Sequence, residues 1–354
     1  MGKLHSVVMR AVMLFALLAA ASCDSIYEND ADCSTKFKFV FTRHRQALHA
    51  VNGQVANAFG SSVGSVHLFV YNSETGELVC EKFERTDNLK TETELNIGTG
   101  TEPCFMAVDL APGNYHIVAW CGLEENDQNN AFSLTSADTR AEYAECGVKL
   151  TTDGRPVNHE KYEAVYHGIV NKVTVNNGGA VVPVELTKNT NDIAVWVQHT
   201  SSSFSPEDYE VVYTDANGTM KFDDNSLSRT DRLEYHAHTS SVLTTSMEYN
   251  GAEIEAGALV THLSTSRLME ANRNNARLEV RNRQGGNTVF SIPFIEYVLE
   301  MQSFTSDAQY YLDCEDTYNC SFYLSGEGET WTSARIIINN WVRVPDQTDS
   351  IGGE

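Results

Sequence analysis

The sequence predicts an all-β protein of two tandem β-sandwich domains with a short helical crossover, and three observations carry that expectation. Apolar residues recur with a period of two in short runs, as in Lys36-Phe37-Lys38-Phe39, and that period sends alternate side chains to opposite faces of a strand. The runs are separated by clusters of Gly, Asn and Pro, the residues that favour turns. A polar patch, Thr187-Lys188-Asn189-Thr190-Asn191-Asp192, splits the 354 residues into two strand-rich stretches, each of ordinary domain size.

The elements follow in order. Residues 36–41 and 65–71 read as strands. Residues 105–110 and 115–120 flank Ala111-Pro112-Gly113-Asn114 and read as a hairpin; 169–175 and 181–186 flank Asn176-Asn177-Gly178-Gly179 and read as a second. Leu48, Val51, Val55 and Phe59 are spaced like one face of a helix, interrupted by Gly53, and predict the crossover. Residues 124–145 read as a long acidic loop. After the polar patch, strands are expected at 193–197, 209–213, 258–263, 277–280 and 289–299. Residues 310–312 and 321–324 are expected to pair around a loop between Cys314 and Cys320, and the last strand runs over 334–344. The domains are therefore 36–190 and 191–345, with 346–354 a flexible tail.

The N-terminus is not part of that fold. Lys3, His5 and Arg10 are basic, and the nearly unbroken apolar run at 11–21 is shorter than the roughly 20 residues that span a bilayer. It reads as a secretory signal. Ala20, Ala21 and Ser22 lead into Cys23, which resembles a bacterial lipoprotein signal, although Leu is more usual in place of Ala20. Residues 1–22 are then removed, Cys23 is lipidated, and 23–35 form an acidic tether carrying Asp24, Glu28, Asp30 and Asp32. Two or more acyl chains hold a protein stably where one does not. The plainer alternative is a cleaved signal with an incidental cysteine.

Composition narrows the partners. A formal net charge of −23 repels nucleic acid and anionic lipid headgroups, so no nucleic-acid partner is expected. Of the eight cysteines, committing Cys23 to lipid leaves an odd number. Cys314 and Cys320 are the candidate disulfide, bridging a hairpin. Cys121 reads as a small buried hydrophobe. No C-x-x-C pair is present, which argues against a zinc ribbon or a thioredoxin-type site.

Catalytic signals are weak. Gly60-Ser61-Ser62-Val63-Gly64 matches G-x-S-x-G, but a nucleophile elbow needs a strand before and a helix after, and here the order is reversed. His236 and His238 would share a strand face without further ligands. No P-loop or dinucleotide fingerprint occurs. The expectation is no catalytic residue, no metal and no cofactor.

Six places in order carry a family resemblance: Cys23-Asp24 through Asp32-Cys33; Val66 to Asn72; Leu110 to Gly122; Tyr166-His167-Gly168; Ser266-Arg267-Leu268; and Ile338-Asn339-Asn340-Trp341-Val342. Together they resemble the FimB/Mfa2 family, anchor subunits of Bacteroides-type fimbriae. The resemblance implies transthyretin-like sandwiches, a surface-exposed lipid anchor in the cell outer membrane at the base of a fimbrium, and shaft subunits as partners. The acidic segment after Cys23 is similar to a surface-export signal of that group. Shaft subunits of such fimbriae lose an N-terminal strand to an arginine-specific protease and accept a neighbour's C-terminal strand, a form of β-strand addition. An anchor keeps its first strand, here 36–41. The candidate donor is then the C-terminal strand, with Ile336, Ile337, Ile338, Trp341, Val342 and Val344. Its Ile-Ile-Ile run suits burial on both faces, and the same run reads equally as an ordinary core strand. Cleavage after Arg43 or Arg45 would instead make the chain a shaft subunit. The further rivals are a tip subunit and a glycan-binding lipoprotein using Trp196 and Trp331 as platforms, although core packing explains both tryptophans as well.

Overall fold

A computed structural model describes residues 34–41, 50–51, 54–55, 59–125, 130–134, 141–156, 161–201, 204–228, 231–249, 251–300, 307–326 and 331–343. The chain is all-β and sandwich-like. Its largest sheet has the order β5-β4-β7-β10-β11-β1-β6. These strands are β1 (Thr35–Phe41), β4 (Ser65–Asn72), β5 (Leu78–Arg85), β6 (Phe105–Val108), β7 (Gly113–Cys121), β10 (Tyr166–Val175) and β11 (Val181–Lys188).

This sheet turns back on itself at one corner. β10 pairs with β7 from Tyr166 to Val175, but meets β11 only where Tyr166, His167 and Gly168 face Lys188, Thr187 and Leu186. β11 then runs parallel to β1. Two layers result, β5-β4-β7-β10 and β11-β1-β6. Phe37, Phe39, Leu68, Val70, Ile117 and Cys121 fill one core from both layers. Gly168 sits at the corner because nothing larger fits: a Cβ there would lie 2.6 Å from Val184 Cγ1 and 2.8 Å from Leu186 Cδ2.

The first hairpin expected in this half is corrected, and the second is kept only in part. β6 pairs with β1, whereas β7 lies between β4 and β10. The Pro-Gly segment reverses the chain but carries it from one layer to the other. The reason is burial: Ile117 through Cys121 are buried on both faces, which demands a central strand covered on both sides. The strands flanking Asn176–Gly179 diverge from the turn and meet only at their far ends, at the corner just described. The helical crossover shrinks to α1 (Phe59–Ser62). Ahead of it, β2 (Ala50–Val51) and β3 (Gln54–Val55) are antiparallel. The intervening Asn-Gly is the strongest short hairpin signal, and it outweighs the helical spacing of Leu48, Val51 and Val55.

All strands after residue 189 belong to other sheets. One has the order β16-β17-β12-β20-β21-β22, built from β12 (Thr190–His199), β16 (Thr239–Tyr249), β17 (Ala252–Ser266), β20 (Thr317–Ser325), β21 (Thr332–Ile338) and β22 (Trp341–Arg343). Another has the order β15-β13-β18-β19, from β13 (Tyr209–Asp215), β15 (Leu233–His236), β18 (Arg277–Asn282) and β19 (Thr288–Pro293). Val195, Val197, Leu263 and Phe322 from the first pack with Val211, Tyr213, Leu278 and Val280 from the second in one core.

A small three-stranded sheet joins the two halves of the chain. It pairs β8 (Phe132–Leu134) and β9 (Glu145–Val148) with β14 (Thr219–Lys221) from beyond the polar patch. The stretch read as a long loop thus contributes two short strands.

Three further expectations are corrected here. The strand over 289–299 ends at Pro293 and continues as α2 (Phe294–Glu300), whose Phe294, Ile295, Tyr297, Val298 and Leu299 are buried. Residues 310–312 lie in α3 (Ala308–Cys314), because Asp307 caps it by accepting from Tyr310 N at 3.1 Å. The final strand breaks at Asn339 and Asn340, with φ of 48° and 71°. Two successive residues of positive φ make a tight hairpin turn, and Asn tolerates that region, so β22 folds back onto β21.

Candidate assembly interface

The C-terminal hairpin hangs on a frame of polar contacts. Asn339 accepts from Asn319 N at 2.8 Å and donates through Nδ2 to Thr317 O at 3.1 Å. These bonds hold the turn against the start of β20. That start is tied to the rest of the chain: Lys188 Nζ lies 2.9 Å from Asp316 Oδ2, with both side chains nearly buried. One turn earlier, Arg267 forms a two-pronged pair with Asp313, both contacts at 2.7 Å. Arg267 also donates to Asn225 O at 3.0 Å, and Gln309 donates to Asp313 at 2.9 Å. The Ser266-Arg267-Leu268 motif therefore locks the end of β17 to α3, which positions β20 and the hairpin.

The residues expected to form a donor strand separate into two groups. β21 is an interior strand, paired with β20 on one side and β22 on the other. Ile336 and Ile338 are buried in the core, while Ile337 faces outward and is only partly covered. Burial on both faces is thus corrected, because only one face of this sheet packs on the second. Trp341 and Val342 lie on edge strand β22, 49% and 58% exposed. Val344 lies outside the described residues, as do Cys23, Arg43 and Arg45.

The cysteine pair is also corrected. Cys314 closes α3, Cys320 lies within β20, and Cys320 carries a free thiol. The hairpin that was to bring them together is a helix followed by a strand. Full burial raises the Cys320 thiol far above its ordinary value. Cys121 is buried in the first core.

Trp331 is 5% exposed, packed against His199 and Tyr209 with ring centroids 4.6 Å away in each case. It is not a surface platform. Trp196 is partly covered on the outer face of its sheet, between Ser321 and Val260. His236 closes β15, 3.5 Å from Glu210 and 3.6 Å from Glu234, while His238 lies past the strand with its ring 6.4 Å from that of His262. Among the described residues no group of His, Cys, Asp or Glu is placed to hold a metal ion. None of their helices is long and apolar enough to cross a membrane. Among the strands that sequence reasoning missed are β16 and the first part of β17. Their signal was present as a Thr- and Ser-rich run before Asn250-Gly251, a hairpin turn pair.

One buried histidine makes stability depend on pH. His167 donates from Nε2 to Phe222 O at 2.8 Å. Burial pushes it down to about 3, with the Arg267 charge adding to that and the Phe222 bond opposing it. An unfolded chain takes up this proton near 6.5 and the native chain only near 3, so the unfolded state binds more protons between those values. Stability from this group is therefore present above about 6.5 and falls as the pH drops. Burial lowers His67, His116 and His199 in the same direction. Asp215 acts oppositely, because burial raises it to about 6, so the native state holds the extra proton between about 4 and 6. The histidines outnumber it, and the urea midpoint is expected to fall between pH 7 and pH 5. His167→Gln should flatten that dependence; an unchanged slope would remove His167 from the account.

The comparisons with known proteins agree with this architecture. A putative adhesin from Bacteroides thetaiotaomicron is 26% identical with a TM-score of 0.68, covering 89% of this chain and 99% of its own. Putative polysaccharide binding proteins from the same organism give 21% identity and a TM-score of 0.66, covering 89% and 99%. The fimbrial anchor protein Mfa2 from Porphyromonas gingivalis gives 14% and 0.60, covering 88% and 99%. No curated protein matches the chain. A family model described as fimbrillin-A associated anchor proteins Mfa1 and Mfa2 matches residues 29–345. The chain belongs to that Mfa2 family of fimbria-associated proteins.

Proposed function

We propose that this protein anchors a fimbrium to the cell outer membrane and joins its shaft by β-strand exchange, without catalysis. In this reading Cys23 carries the lipid, residues 23–35 are the tether, and 36–190 and 191–345 are transthyretin-like sandwiches exposed on the cell surface. The observation that carries the reading is the C-terminal edge. Among the described residues β22 is a sheet edge, with exposed Trp341 and Val342 on it, and an open edge is what strand addition uses. β21 stays in its own core, so the joining segment starts at Trp341 and runs through Val344.

The test uses two variants in the native bacterium. Cys23→Ser should release the protein, with its fimbriae, from the outer membrane. A chain ending at Asn340 keeps β21 and the core, and should stay membrane-bound while losing co-purification with shaft subunits. Full retention of Cys23→Ser on the membrane would sink anchoring by lipid. Undiminished shaft binding by the truncated chain would sink the joining role of the C-terminal segment. Sequencing the mature N-terminus separates the rivals, since a start after Arg43 or Arg45 marks a shaft subunit.

A further inference from the structure

The sheet edges are not equally defended. Natural sheets blunt their edges with charges, bulges, short strands or cover, because an open edge is a template for another strand. β5 carries Glu81, Lys82, Glu84 and Arg85, and its pairing with β4 is broken by an irregularity at Val70/Tyr71. β6 is four residues long; Lys90 bridges to Phe105, and Lys82 Nζ donates to Ala107 O at 3.1 Å. β19 is capped where Trp331 N donates to Val289 O at 2.8 Å. β15 has four residues, and β22 is the edge already assigned to the shaft.

Among the described residues, β16 has none of these devices before Glu248. It is eleven residues long, and its register with β17 is continuous from Thr239 to Tyr249. It contains no Pro and no charged residue before Glu248. Val242 and Leu243 are adjacent and so point to opposite faces, yet they are 48% and 44% exposed. From Thr239 to Ser246 every side chain is exposed or half-exposed, so neither face of this part of the strand is packed. β12 reaches along β17 only as far as Ala258, while β17 continues back to Ala252. Residues 252–257 and their β16 partners therefore pair only with each other, as a ribbon reaching on the order of 20 Å past β12. The ribbon tip gathers Glu248, Glu253 and Glu255.

We propose that the free edge of β16 receives one extended antiparallel segment of another protein chain, β-branched and uncharged along most of its length and basic where it passes the ribbon tip. Backbone bonds along the edge supply the affinity, and apolar side chains covering Val242 and Leu243 supply the register. A second copy of this chain is a poor occupant. β16 has no Lys or Arg to meet the three glutamates, and each copy carries a net charge of −23. The proposal involves neither the lipid nor the C-terminal hairpin.

The test is hydrogen exchange on the purified mature protein. The probe is a synthetic peptide of alternating Val and Thr with two lysines at its N-terminal end. Bound antiparallel, it should slow exchange across β16 at least about tenfold and leave β5 and β6 unchanged. The same peptide with alternate backbone nitrogens methylated should protect nothing. The double variant Val242→Lys/Leu243→Lys, altered only at exposed positions, should lose the protection and keep its melting temperature. The proposal is overturned if the methylated peptide protects equally, or if glutamates in place of the lysines change nothing. It is also overturned if β16 becomes protected without peptide as protein concentration rises, since the occupant is then a second copy. Because membrane and shaft are absent from this assay, any of these failures leaves the anchoring reading to its own test.

Discussion

Asp313→Ala is expected to lower the unfolding free energy by about 3–5 kcal/mol, because removing one partner strands the other charge in the interior. Asp313 is nearly inaccessible, Arg267 is 7% exposed, and they meet through two contacts of 2.7 Å. In the variant the guanidinium keeps only its bond to Asn225 O, and Gln309 loses one of its two acceptors. The contrast is the pair between Arg85 and Glu124, also within hydrogen-bonding reach but about half exposed on both sides. Glu124→Ala should cost about 0–1 kcal/mol, since water already solvates both charges. Urea unfolding of both variants makes the comparison. The double variant Arg267→Met/Asp313→Leu should recover much of the loss, because desolvation of the ions cancels most of their attraction. An Asp313→Ala cost below about 1 kcal/mol would mean that water reaches the pair, and the account of how β20 is held would fail.

The all-β class, most strands and the family were legible in the sequence, because period-two alternation and turn residues are local signals. Strand partners were not. The Pro-Gly turn at 111–114 was read correctly as a reversal, yet β6 and β7 lie in different layers. A turn fixes chain direction, whereas pairing is decided by which faces must be buried, and β7 needed cover on both. α2 was hidden because Phe294, Ile295, Tyr297, Val298 and Leu299 are apolar nearly all round. An apolar run buried on every side has no period to read. The candidate assembly surface was half legible. Ile336 and Ile338 read as donor or core from sequence alone, and only the register with β20 places them in the core. The turn at Asn339-Asn340 could have been read, since Asn is favoured where φ is positive, but the unbroken hydrophobic run on either side masked it. The corner at Gly168 and the ion pair at Arg267 join residues far apart in sequence, and no local pattern announces such contacts.

Phe222→Ala is the second substitution with a large expected cost, about 3–5 kcal/mol for an aromatic ring removed from a filled core. The residue follows β14, is fully buried, and packs with ring centroids 5.3 Å from Phe69 and 5.6 Å from Trp120. Those two rings belong to β4 and β7, on the face of the first sheet turned away from its own core. One side chain from beyond residue 189 therefore fills a space lined by strands that precede it. Its backbone reinforces the junction, since Phe222 N donates to Ala144 O at 3.1 Å and its carbonyl accepts from His167. With the ring in place, the two halves share one cluster of buried residues and should unfold in a single cooperative step. In Phe222→Ala the coupling is weakened at its centre, and calorimetry should resolve two transitions, the earlier one sensitive to the variant. If the unaltered protein already melts in two separate steps, or the variant loses stability in the later half alone, the ring is packing within one half and the halves are energetically independent.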